Sequence, residues 1–82
     1  MKFEWDTKKE EINLEKHGVD FKTARLVFDC HDIEVKKDHK HSQIEERFFA
    51  VGTLNGKKIT VRFTIRGESI RIIGAGYWRK FK

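Results

Sequence analysis

Apolar positions recur along this chain with two periods, and the switch between them divides it. Phe21, Ala24, Val27 and Phe28 fall at helical spacing and predict a helix from Phe21 to about Phe28, with Asp20 as its cap. Ahead of it, Thr7-Lys8-Lys9-Glu10 has the spacing of a capping box. A first helix is predicted from there to about His17, with Gly18 placed to end it in a left-handed turn. Lys2-Phe3-Glu4-Trp5 alternates and reads as a short strand.

From Ile33 onward the period is two. Ile33 and Val35 alternate with Glu34 and Lys36, a polar loop runs from Lys37 to Gln43, and Arg47 to Gly52 forms the next strand. Asn55-Gly56 predicts a type I′ hairpin, because both residues tolerate positive φ. Ile59 to Arg66 alternates cleanly, Gly67-Glu68 turns the chain, and Ser69 to Ile73 returns. Helices and strands are segregated, so the expected fold is α+β: a short N-terminal strand, two helices, then an antiparallel meander of three to four strands with the helices on one face. Within the long strand, Ile59, Val61, Phe63 and Ile65 are expected to face the core. Thr60, Arg62, Thr64 and Arg66 are expected on the open face, with Arg71 brought near Arg66 or Arg62 from the neighbouring strand.

Length and composition narrow the class. Eighty-two residues make one domain, 1–82, with a modest core; 38% apolar residues, seven Phe and two Trp supply it and argue against disorder. No apolar run reaches the ~20 residues that cross a bilayer, and the N-terminal run has no signal-peptide core. Cys30 is the one cysteine and has no partner for an internal disulfide. These features predict a cytoplasmic protein without membrane contact. The net charge of +5 is lopsided: residues 1–40 hold nine Lys/Arg and ten Asp/Glu, residues 41–82 nine and three. The positive potential belongs to the sheet-forming half. It suits a polyanion, or a protein that is simply basic and soluble.

The candidate chemistry lies beside that sheet. Asp38 to Arg47 is dense in titratable groups. RNA cleavage without a metal needs a base for the 2′-OH proton, an acid for the leaving 5′-oxygen, and cations for the charge that builds on phosphorus. His41 and Glu45 are the acid–base candidates, and Arg47, Arg66 and Arg71 the cations. Arg62, Lys57, Lys58, Arg79 and Lys80 are candidates for nucleic-acid contact. On residue types alone, a solvated loop whose His and Glu do nothing is the stronger reading. Cys30, His31, Asp32, Asp38, His39 and His41 are metal-ligand types, but their spacing matches no standard zinc pattern, so no metal or other cofactor is expected. His17 is read as a helix-terminal cap rather than a catalytic group, Trp5 as core, and Tyr77 and Trp78 as edge packing in preference to rings that stack on bases.

Two residue series carry a family resemblance. The first is Phe3-Glu4-Trp5-Asp6, Asn13, Lys16-His17-Gly18-Val19, Phe21, Ala24 and Val27-Phe28-Asp29. The second is His41-Ser42, Glu45-Glu46-Arg47-Phe48, Gly52, Arg66-Gly67 and Ile70-Arg71-Ile72-Ile73. Together they resemble the BrnT toxin family, in order, from Phe3 to Ala75. The resemblance implies a RelE-like fold and metal-free cleavage of messenger RNA. It also implies a BrnA-like ribbon-helix-helix antitoxin, which with the toxin would repress their shared operon, so that DNA is met only through the complex. The chain departs from the family where Ile-Ser-Ala-Arg and a basic helix are typical: it has Ile73-Gly74-Ala75-Gly76, then Tyr77 to Lys82. Loss of an arginine that stabilises a transition state costs roughly 2–4 kcal/mol. Besides an active ribonuclease, two alternatives therefore stand: a weak or inactive module that binds nucleic acid or antitoxin, and an assembly partner whose output is repression.

Overall fold

The computed structural model describes residues 1–78, apart from the side chain of His41. Arg79 and Lys80 lie outside the described residues. The order of elements is β1 (Lys2–Glu4), α1 (Thr7–His17), α2 (Phe21–Leu26), β2 (Glu34–Lys37), β3 (Phe48–Leu54), β4 (Lys57–Arg66) and β5 (Ser69–Tyr77), with 3-10 turns at Val27–Asp29 and His39–His41. The strands form one sheet in the order β1-β5-β4-β3-β2. β2 to β5 are the expected antiparallel meander. β1 adds itself to β5 in parallel, Phe3 beside Ile70 and Glu4 beside Arg71. No helix among the described residues is long and apolar enough to cross a membrane.

The core lies between the helices and one face of the sheet. Val19, Phe21, Ala24 and Val27 pack on Ala50, Ile59, Val61, Phe63, Ile70, Ile72 and Ala75, with Phe3, Trp5 and Phe28 closing the side. Phe28 meets Phe3 and Phe63 at centroid distances of 5.2 and 5.1 Å, in the tilted and edge-on geometries that aromatic rings favour. The hairpin forms as expected, with Asn55 at φ 51° and Gly56 at φ 79°.

Three expectations need correction. Asp6, not Thr7, caps α1: its carboxylate accepts from the N–H groups of Lys8 and Lys9. Glu10 is drawn elsewhere, accepting Trp5 Nε1–H at 3.1 Å and the Phe21 N–H at 2.9 Å, so it ties the end of β1 to the start of α2. Ile65 is not core; near the end of β4 it is 57% exposed, at a surface hollow with Glu45, Glu46 and Phe48. Thr64 does lie opposite Phe63 but is only 2% exposed, because the loop before β3 crosses it and its hydroxyl donates to the Glu46 carbonyl at 2.6 Å.

α1 is fixed to the sheet by a side chain. β1 pairs only with residues 69–71 of β5, which leaves the edge of β5 around Ala75 without a strand. Asn13, buried in α1, fills the gap: its amide donates to the Ala75 carbonyl at 2.8 Å and its oxygen accepts the Ala75 N–H at 3.2 Å. The same amide donates to the Val19 carbonyl at 2.8 Å. A buried strand edge must have its polar groups met, and one carboxamide does here what a neighbouring strand would do. The helix is thereby held alongside the open face as well as under the sheet.

Candidate functional site

The helix-free face of the sheet carries the polar half of each alternation. Lys58, Thr60, Arg62, Thr64 and Arg66 project from β4. Register sets Arg62 beside Phe49 and Gly74, Thr64 beside Arg71, and Arg66 beside Ser69. Arg66 and Arg71 therefore share the face one step apart on neighbouring strands. The pairing of β4 with β5 shifts between Arg62 and Phe63, because Ile73 is an extra residue between Gly74 and Ile72. Such a bulge strengthens local twist and re-aims the side chains around it.

The titratable loop is folded onto the β4–β5 end of this face. The Asp38 N–H donates to the Arg47 carbonyl at 2.7 Å and closes the loop. Ser42 Oγ braces it from within, accepting the Arg47 N–H at 2.9 Å and donating to the Asp38 carbonyl. With Thr64 anchoring Glu46 from below, the half-buried Glu45 carboxylate is held 3.6 Å from the Arg66 guanidinium. Glu45 also lines a hollow of about 440 Å³ with Lys40, Gln43, Ile44 and Arg47. It thus stands between two of the predicted cations. Arg71 is gripped by Glu4 at 2.8 Å, a partner supplied by the parallel pairing of β1. Glu46 pairs with Lys37 at 3.0 Å.

The predicted residues divide accordingly. Glu45 and Arg66 are in direct contact, Arg71 is on the same face, and Arg47 is beside Glu45. His41 has its backbone in the 3-10 turn of the same loop, and its side chain lies outside the described residues. Lys57 and Lys58 are at the far end, stacked over Tyr77 at 5.3 Å and Trp78 at 4.9 Å. That end is a groove of about 680 Å³ lined by Lys36, Phe49, Val51, Thr60 and Trp78 among others. Arg62 turns the other way, toward α1, and lies over Gly74.

Sequence reasoning missed Glu4 and Ser42, because neither role exists until β1 is paired and the loop is closed. His17 is exposed at the end of α1, as a cap would be, yet its side chain borders the open face beside Gly76. Among the described residues no three of the metal-ligand types converge; Asp32 accepts from both the N–H and the hydroxyl of Thr53, which hold its carboxyl below the usual range. Burial pushes the Cys30 thiol up, and that thiol donates to the Thr53 carbonyl.

Comparison with known proteins bears on what this face is for. No curated protein matches the chain. The family model described as "Ribonuclease toxin, BrnT, of type II toxin-antitoxin system" matches residues 5–81, which takes in the capped helices, the braced loop and the arginine face. The chain belongs to the BrnT family of ribonuclease toxins of type II toxin–antitoxin systems.

Proposed function

We propose that this chain cleaves RNA without a metal ion at the loop-covered end of the open face, and that a BrnA-like ribbon-helix-helix antitoxin neutralises it. The observation that carries the reading is the contact of Glu45 with Arg66 on an arginine-rich face, in a chain of a ribonuclease-toxin family. Glu45 takes the 2′-OH proton, the 2′-oxygen attacks phosphorus, and the 5′-oxygen leaves with a proton from His41. Arg66 and Arg71 hold the phosphate oxygens and offset the charge that builds on them; Arg47, beside Glu45, supplies a third guanidinium. The antitoxin would cover the same basic face, and the pair would reach operator DNA through the antitoxin.

A second reading is favoured by one feature. Gly76, next to His17 on β5, carries no side chain where the family pattern has arginine. A chain short of that cation would bind RNA or antitoxin with little chemistry.

The test is cleavage of purified RNA in EDTA by antitoxin-free protein, beside a Glu45→Gln, Arg66→Ala double variant. The expected result is cutting by the wild type and a loss of at least 100-fold in the variant. Equal cutting by both would remove these residues from the site. No cutting by either, on free RNA or on ribosome-bound messenger, would favour the binding module.

A further inference from the structure

A second cationic hollow adjoins the aromatic groove, sharing Thr60 and Tyr77 with it. Two small concavities meet there, of about 220 and 200 Å³. Together they are lined by Lys9, Lys16 and His17 of α1 and by Arg62 of β4. The rest of the lining is apolar, uncharged or backbone: Ile12, Asn13, Thr60, Ile73, Ala75, Gly76 and Tyr77. Among the described residues no carboxylate lines it.

This arrangement follows from details already described. Asn13 clamps α1 to the edge of β5. Lys9, one turn before it, and Lys16, one turn after it, then stand at the rim of the open face. Gly74 lets Arg62 join them: a Cβ there would sit 2.7 Å from Arg62 Nη2 and 3.2 Å from Nε. The guanidinium rests in the space that glycine leaves. Among the described residues Arg62 makes no ion pair, unlike Arg66 and Arg71. Two lysines, an arginine and an imidazole converge on a hollow whose described lining holds no carboxylate, which is the electrostatic form of an anion seat.

We propose that Lys9, Lys16, His17 and Arg62 form a phosphate seat that holds the RNA backbone beside the reacting phosphate. This rests on the RNA reading above. Arg62 and Arg66 are four residues apart on one strand, ~14 Å, a span that a repeating polyanion bridges without rearrangement. The exposed Trp78 and half-buried Phe49 of the same face offer ring surfaces to bases. Rings for bases beside cations spaced along the strand match the alternation of base and phosphate in a single strand, which favours nucleic acid as the occupant.

The test is binding of a non-cleavable 2′-O-methyl oligonucleotide over a range of salt, with wild type, Lys16→Ala/Arg62→Ala, Gly74→Ala, and Lys22→Ala on α2 as control. Each phosphate left without its cation should flatten the log–log salt slope by ~0.7, and the double variant should bind roughly tenfold more weakly. Gly74→Ala should shift binding in the same direction with the fold intact, because the atom that must move is the end of a flexible side chain. Lys22→Ala should bind as the wild type does. An unchanged slope in the double variant overturns the seat. So does a loss confined to antitoxin binding, or a wild type that does not bind the oligonucleotide. A flattened slope in a protein that cuts no RNA leaves the seat standing and removes the ribonuclease reading.

Discussion

Asn13→Ala puts a number on the way α1 is held. The wild-type carboxamide makes three hydrogen bonds in a site only 7% exposed, to Val19 and to both polar groups of Ala75. Truncation leaves those backbone groups without partners at the covered edge of β5. Each broken bond is worth about 1 kcal/mol, and an unmet buried group up to about 3, so the expected loss is about 3 kcal/mol. Against a total of ~4–12 kcal/mol for a chain of this size, that is a large share, and the melting temperature should fall by about 15 °C. Asn13→Asp separates donor from acceptor. It keeps an oxygen for the Ala75 N–H but sets a carboxylate against two carbonyls, so it should destabilise at least as much. Urea unfolding followed by circular dichroism measures both, and hydrogen exchange at the Ala75 amide reports the edge directly. A loss below about 1 kcal/mol in Asn13→Ala, with Ala75 still protected, would refute the account.

Two further expectations test packing and charge. Gly52→Ala puts a Cβ 3.0 Å from Cys30 Cβ and 3.2 Å from both Cys30 Sγ and Val27 Cγ1; this overpacking should cost about 1–3 kcal/mol in the same urea assay, and an unshifted midpoint would show that the 3-10 turn yields freely. Asp6, Asp20 and Asp32 are all held below the ordinary carboxylate range, chiefly by the hydrogen bonds of Lys9, Thr23 and Thr53. Their stabilisation is full above the unfolded value of about 3.9 and is lost as pH falls through the lower folded values. Stability should therefore hold from pH 7 to 5 and drop below about 4, and Asp20→Asn, which still caps α2, should flatten that drop. An acid limb identical to the wild type would assign it to other groups.

What could be read from the residues alone was whatever depends on neighbours close in the chain. The alternation of β4 located Arg62 and Arg66, and the density of the loop pointed to Glu45. The capping-box spacing misled because Asp6, one residue earlier, caps at least as well as Thr, and because Glu10 is claimed by Trp5 and Phe21. Ile65 shows that period gives the side of a strand but not its cover. The contacts of Glu4 with Arg71 and of Asn13 with Ala75 join residues 67 and 62 positions apart; no local pattern carries them. The cationic hollow depends on the second of these, so no local pattern marks Lys9 and Lys16 for it.

The two ends of the arginine face differ in how their charge is compensated, and the difference matches what each end is proposed to do. Arg66 and Arg71 rest on Glu45 and Glu4 in half-exposed pairs, and pairs of that kind contribute at most about 1 kcal/mol. They hold the guanidiniums extended over the sheet, yet a phosphate that accepts a forked pair of N–H bonds can displace the carboxylates at little cost. Once displaced from Arg66, Glu45 is a free carboxylate within reach of whatever that arginine binds, which is where a base is needed. Among the described residues Arg62 has no carboxylate to release. It is set by the space at Gly74 and by the helix that Asn13 clamps, so its end of the face can attract and hold, and no carboxylate in its described lining stands ready as a base. A strand that crosses both ends would be fixed at one and cut at the other.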